Sequence, residues 1–353
     1  MEKETKSLKE RMTELRSQTD YTLPLKRYVM VMIDGRSFSR VVKNKYEKPF
    51  SNTFINYMNE VAKYVCKNVE GCKFAYVQSD EITFVLTDFD TETTNAFFGN
   101  RLTKILSVVP SMASAKYNQL VFADLCDTPC SNTDLKQIIL DAKLAEFDCK
   151  AWTCNNINDV YSYYLWRQID CIRNSKQQTA QTWLSHKVLN GLDTDAQIKL
   201  LLDEKGIDWN QYENYKKYGR FLYKETEMFH NDKLNTDYER SVWKVHDGFP
   251  IMGKEGKERF LGLGIIPDID VIRPDEVVPT ELEDEIKKYT KEGTIIRKSA
   301  LFVDDLGFDS VDFVEFMFDL EGKYHIKWNE DKGIVINTVQ DLIRELNEHG
   351  VKI

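Results

Sequence analysis

The sequence predicts a mixed chain of the α+β class, a main body of strands and helices followed by a small all-helical unit. Three observations carry that reading: apolar residues recur first at strand and then at helical spacing, three prolines crowd around residue 270, and acidic side chains concentrate beyond residue 280.

Taken in order, residues 28–33 form an apolar run that predicts a buried strand, and "IDGRSFSR" follows where the chain must turn. Residues 53–68, "TFINYMNEVAKYVCKN", place apolar side chains at helical spacing. Residues 74–86, "FAYVQSDEITFVL", read as two β-type runs around a polar centre, a hairpin. A second helix pattern occupies about 91–107, and "LAEFDCKAWTC" at 144–154 reads as a further strand. The order β-α-β-β-α-β predicts a ferredoxin-like domain over about residues 25–155, an antiparallel sheet with helices on one face. Residues 157–189 contain no proline or glycine and are long enough for one or two helices; 196–264 is mixed and leads into "GLGIIP". Residues 156–264 are therefore expected to form a helical extension. Pro267, Pro274 and Pro279 then fall within thirteen residues, which sets a boundary because proline removes backbone donors. The expected division is a body over 1–272, a linker over 273–280 and a second domain over 281–353.

Composition narrows the class of function. The 353 residues are 42% hydrophobic and 12% aromatic, enough for a substantial core. The opening stretch alternates charge signs, and no apolar run approaches the ~20 residues of a membrane span, so a cytoplasmic protein without membrane association is expected. Seven cysteines, an odd count, favour reduced thiols over a disulfide framework. Cys126 with Cys130 and Cys149 with Cys154 lack the tight spacing and nearby histidine of a zinc site. From residue 281 onward, 17 acidic and 10 basic side chains account for most of the net charge of −9. The main body is near neutral and can still carry a basic groove.

In a ferredoxin-like domain the end of the first strand lies beside the turn of the central hairpin, so Asp34 and Asp80 meet although they are 46 positions apart. Two carboxylates at neighbouring strand ends suit Mg²⁺, which needs few protein ligands when phosphate oxygens and water complete its shell. Gly35 lets its own carbonyl reach the same ion. Each triplet taken alone, "IDG" or "SDE", is equally a turn signal; their joint placement is what favours a metal site.

"IDGRSFSR", "KYEKPF", "AYVQSDEITFVL", "FDCKAW" and "YYLWRQIDCIRNS" come in an order and spacing that resemble the tRNA-His guanylyltransferase family and its bacterial-type relatives, over roughly residues 25–225. The resemblance implies a polymerase-like palm domain and Mg-dependent addition of nucleotides in the 3′-to-5′ direction to the 5′ end of tRNA or a tRNA-like RNA. It implies two Mg²⁺ ions on Asp34, the Gly35 carbonyl and Asp80, with Glu81 as an accessory acid. It also implies GTP and ATP as substrates, with Arg36, Lys48, Ser79, Arg173 and Asn174 at the nucleotide, Lys187 and Arg220 touching RNA or triphosphate, and a tetrameric assembly. One departure stands out. Eukaryotic members carry a His-Ile-Asn-Asn signature after the Cys171 equivalent, whereas here Ile172, Arg173, Asn174 and Ser175 follow. That replacement resembles the bacterial-type branch, and it directs the expectation toward 5′-end repair alongside tRNA-His guanylylation. Trp152 and Trp166 read as core aromatics rather than base-stacking platforms.

The tail "DDLGFDSVDFVEFMFDLEGKY" resembles acyl carrier proteins, in which the serine of an Asp-Ser-Leu motif carries 4′-phosphopantetheine; here the motif is Asp309, Ser310, Val311. The resemblance implies a small all-α, four-helix carrier domain, attachment at Ser310, and a phosphopantetheinyl transferase or acyl-transfer enzyme as partner. Two other readings use the same residues: a palm-type cyclase or oligonucleotide signal synthase without an RNA acceptor, and an inactive RNA-binding adaptor with a carrier domain.

Overall fold

A computed structural model describes residues 6–42, 45–90, 94–127, 131–231, 236–269, 277–291, 294–328 and 336–351. Cys130 and Pro274 lie outside them. The chain separates into two compact units, Met1–Pro267 and Asp268–Ile353.

After an N-terminal helix α1 (Leu8–Ser17), the first unit is built on β1 (Tyr28–Gly35), α2 (Phe38–Val41), α3 (Asn52–Asn68), β2 (Cys72–Gln78), β3 (Glu81–Leu86), α4 (Leu102–Cys126), α5 (Asn132–Asp141) and β4 (Phe147–Cys154). The strands pair antiparallel in the order β4-β1-β3-β2, the ferredoxin-like arrangement. Strand alternation explains how β1 is held between two layers. Val29, Val31 and Ile33 enter the core shared with Met58, Val61, Ala62 and Val65 of α3 and Ile105, Val109 and Ala113 of α4. Ser51 caps α3 by accepting from the Phe54 N–H, which fixes where that helix begins.

The expected helix at about 91–107 is displaced. Phe98, Gly99 and Asn100 all take positive φ (51°, 59° and 55°), which breaks the helical path, and α4 starts only at Leu102 and continues to Cys126 across Pro110. The strand expected at 144–154 begins at Phe147.

The opposite face of the sheet is also covered. Helix α6 (Ile157–Trp183) lies there, capped by Asn156, with Tyr164 packed edge-on against Phe74 at 5.1 Å and Tyr163 donating its hydroxyl hydrogen to the Met32 sulfur at 3.2 Å. Helices α7 (His186–Leu189), α8 (Thr194–Lys205) and α9 (Asn214–Lys217) follow. The region that reads as mixed then forms a long hairpin, β5 (Arg220–Asn231) with β6 (Thr236–Asp247). Only Ala75–Val77 of β2 pair with it, through residues 220–222, so most of the hairpin is an arm reaching past the sheet. Buried Gln168 of α6 clamps the base of this arm: its amide donates to the Phe249 carbonyl at 2.9 Å and accepts from the Ile251 N–H at 2.8 Å. Helix α10 (Gly253–Leu261) closes the unit.

The second unit contains α11 (Thr280–Lys287), α12 (Ser310–Tyr324) and α13 (Val339–Glu348) around Leu282, Ile286, Phe302, Phe316, Leu320, Leu342 and Leu346. Three helices, rather than four, occur among its described residues. The cap of α12 is Asp309, which accepts from the Val311 and Asp312 N–H groups; Ser310 is the first helical residue and is exposed. Among the described residues no helix is long and apolar enough to cross a membrane.

Candidate functional site

The site grows from two local features. Strand β1 runs to its end carrying Asp34, and the β2–β3 hairpin closes through only Ser79 and Asp80, flanked by the Gln78–Glu81 pair. Ser79 takes a left-handed backbone (φ 45°), unusual for a residue with a side chain and in keeping with a turn shaped by more than propensity. Its hydroxyl donates to Asp80 Oδ1 at 2.8 Å. Gly35 is where the two features meet. A Cβ there would lie 2.3 Å from the Phe38 ring and 2.8 Å from Asp80 Oδ2, so only glycine fits.

The electrostatics are those of crowded acids. Burial pushes the Asp34 carboxyl up to about 6, and Asp80, Glu81 and Asp148 add repulsion. Asp148 is its direct strand mate on β4. Burial also raises Asp80, against the bonds it accepts from Ser79 and its own N–H. Glu81 differs: its buried carboxylate is gripped by Arg167 of α6, through Nε at 2.7 Å and Nη2 at 2.5 Å. Glu81 therefore joins the turn to α6 while standing beside the acids.

Beyond Asp80 opens a cleft of about 480 Å³ between the β2–β3 turn, the segment 46–51 and the C-terminal half of α6. Lys48, Ser79, Asp80, Asn174 and Arg220 line it, joined by Lys216. Arg220 is buried; its Nε donates to the Asn59 side-chain oxygen at 3.0 Å, while its Nη2 has no hydrogen-bond partner. Burial draws this guanidinium down to about 10, which leaves it a cation at neutral pH.

Several expected residues sit elsewhere. Arg36 pairs with Glu146 at 2.9 Å on the surface, and Arg173 pairs with Asp170; neither lines the cleft. Lys187 lies on α7, also outside the cleft lining. Trp166 is 58% exposed, not a core residue, because its position on α6 falls off the face that Tyr164, Gln168 and Cys171 bury. Sequence reasoning missed Asp148, Arg167, Gln78 and Lys216. Asp148 had a usable signal, since it lies two residues before Lys150 and four before Trp152 in a strand, but its register against Asp34 is set only by three-dimensional pairing.

Among the described residues no three His, Cys, Asp or Glu side chains gather closely enough to hold an ion by themselves. A cation here would rest on two carboxylates and a backbone oxygen. The donor chemistry fits Mg²⁺: hard oxygens whose carboxylates repel one another.

These features bear comparison with known proteins. The tRNAHis guanylyltransferase family model matches residues 9–155. A bacterial tRNA(His) guanylyltransferase (Thg1)-like protein in complex with ATP is 31% identical, with a TM-score of 0.60, and the match covers 74% of this chain and 99% of that one. The chain belongs to the tRNAHis guanylyltransferase family. It is thereby placed among nucleotidyltransferases. A structure of a bacterial Thg1-like protein in complex with GTP aligns over the same shares of both chains at 29% identity and a TM-score of 0.57. The tRNA(His) guanylyltransferase 1 of Arabidopsis thaliana is 28% identical over 210 residues, 56% of this chain but only 34% of that enzyme, so this chain spans about a third of its plant relative.

Proposed function

We propose that this chain adds nucleotides in the 3′-to-5′ direction to the 5′ end of tRNA or a tRNA-like RNA, by tRNA-His guanylylation or 5′-end repair, with the β1–β3 region acting as a polymerase-type palm. The observation that carries the reading is the crowding of Asp80 against Gly35 and Asp34, with Asp80 also lining a cleft in whose wall Arg220 keeps an unpartnered nitrogen.

Asp34, Asp80 and the Gly35 carbonyl would hold Mg²⁺, which supplies activation of the attacking hydroxyl and charge neutralisation at the triphosphate. The chain's own residues do the positioning that phosphoryl transfer requires. Lys48, Lys216 and Arg220 face a bound triphosphate from the cleft walls, and the free Arg220 Nη2 offers a charge-assisted hydrogen bond that no protein group satisfies. Ser79 orients Asp80, and Asn174 presents an amide to the same space. Arg167 holds Glu81 away from the cleft and makes it a positioning residue. ATP and GTP, the nucleotides bound to the bacterial relatives, are the substrates this cleft would take.

Incubation with labelled GTP, ATP, Mg²⁺ and a 5′-truncated tRNA tests the reading: extended RNA is the expected product. A small cyclic nucleotide as the sole product would move the chain to the cyclase reading, and binding without turnover would make it an adaptor.

A second reading concerns Asp268–Ile353. Ser310 is exposed at the first turn of α12, directly after its Asp309 cap and among acidic side chains, the arrangement of a carrier-protein attachment serine. Coexpression with a phosphopantetheinyl transferase should add one phosphopantetheinyl mass, lost in Ser310→Ala; an unchanged mass removes this reading.

A further inference from the structure

Two large apolar residues on α6 are placed in a way that packing does not explain. Trp166 and Ile169 stand away from the buried face, 58% and 47% exposed. Yet Trp166 is held firmly. Its ring meets Tyr163 edge-on at 5.5 Å between centroids; Tyr163 in turn leans on Trp152 of β4 at 4.6 Å and is bonded to Met32. The Arg167 guanidinium lies 4.7 Å from the Trp166 ring centroid while it holds Glu81. An indole with a cation on one face, a ring at its edge and more than half its surface exposed has its second face open to solvent.

We propose that Trp166 is the stacking platform for the 5′-terminal base of the RNA acceptor, an inference that rests on the nucleotide-addition reading above. Continuity with the candidate site argues for this occupant. The chain Trp166, Arg167, Glu81 ends beside Asp80. On β4, Trp152, Lys150 and Asp148 share one face, and their strand mates on β1 are Met30, Met32 and Asp34. Same-face residues on a strand are about 7 Å apart, so the rings begin within a few such steps of the carboxylates. The two ends of α6 also differ in kind. Its C-terminal half walls the enclosed cleft, which suits a free nucleotide, whereas the open indole near its N-terminal half suits the end of a polymer, because every base presents a π face. A guanidinium behind the ring strengthens such stacking.

The test uses the full chain and a 5′-truncated tRNA carrying 2-aminopurine at its 5′ terminus. Binding should quench the 2-aminopurine emission, and Trp166→Ala should abolish the quenching. The same variant should raise the KM for RNA at least about fivefold while the KM for GTP stays at the parental value, and Trp166→Tyr should restore both readouts. Parental quenching and RNA KM in Trp166→Ala overturn the proposal. So does a loss of assembly size in sedimentation with RNA KM unchanged, which would assign this face to contact between copies of the chain. If the parent adds no nucleotide but its quenching still depends on Trp166, the addition reading fails and the stacking site stands. If the parent adds nucleotides without such quenching, the stacking site alone fails.

Discussion

The carboxylates around Gly35 and those of the C-terminal unit are chemically identical and electrostatically opposite. Asp34 and Asp80 are both raised, by burial first, and Asp34 further by its acidic neighbours. In the C-terminal unit Glu285 is lowered by bonds from Lys288 and then Lys323. Asp341 is lowered as well: burial works against it, but the Thr338 hydroxyl and the Thr338 and Asn337 N–H groups prevail. A structural acid comes with its donors built in. The acids at Gly35 lack them in this measure, a deficit that the Mg²⁺ of the proposed function would offset. Glu81 belongs with the structural group although it adjoins Asp80 in sequence, because Arg167 provides its counter-charge.

The largest test of this contrast is to remove the acids. Asp34→Ala and Asp80→Ala should each lower nucleotide addition by at least about 10³-fold, a loss of several kcal/mol of transition-state stabilisation, with the circular dichroism spectrum kept. Addition at the parental rate by either variant would break the contrast. Next in size is Arg167→Ala, which strands the buried Glu81 charge and should cost about 3–5 kcal/mol in urea unfolding. Pairing Arg167→Met with Glu81→Leu should recover most of that stability. A smaller effect separates the groups by pH in chelator-treated protein. Because the folded Asp34 value, about 6, exceeds the unfolded one, the folded state loses stability as pH rises from about 4 to 6, and the deficit persists above. Asp34→Asn should therefore stabilise the metal-free chain at pH 7 by on the order of 1 kcal/mol, after allowance for its partial exposure, and have no such effect below pH 4. Destabilisation at pH 7 would place Asp34 with the structural acids. Smallest is Thr338→Ala, which removes the α13 capping box and should cost about 1 kcal/mol by thermal unfolding.

The legible parts of the fold were those where local pattern and tertiary fate agree. Strand β1 and the hairpin around Ser79 and Asp80 announce themselves because their apolar residues are buried on both faces. The β5–β6 arm does not, since beyond residue 222 none of its described side chains is fully buried and Trp243 and Val245 only flank the core. The onset of α4 depends on three left-handed residues that propensity does not foresee. At the site, Asp34, Gly35 and Asp80 could be paired from topology alone, whereas Arg167 and Asp148 could not. Their positions depend on the angle at which α6 crosses the sheet and on strand register, both products of packing. Trp166 reads as core because indoles usually are; nothing in its neighbours reveals that α6 turns it outward.

Gln168 has a mechanical consequence for the β5–β6 arm. With its root anchored by pairing to β2 and by one buried amide, and its outer residues paired only with each other, the arm behaves as a cantilever. Amide hydrogens near Phe221 and Leu222 should exchange with deuterium slowest and those approaching Asn231 fastest, a gradient that Gln168→Ala would flatten by releasing the root.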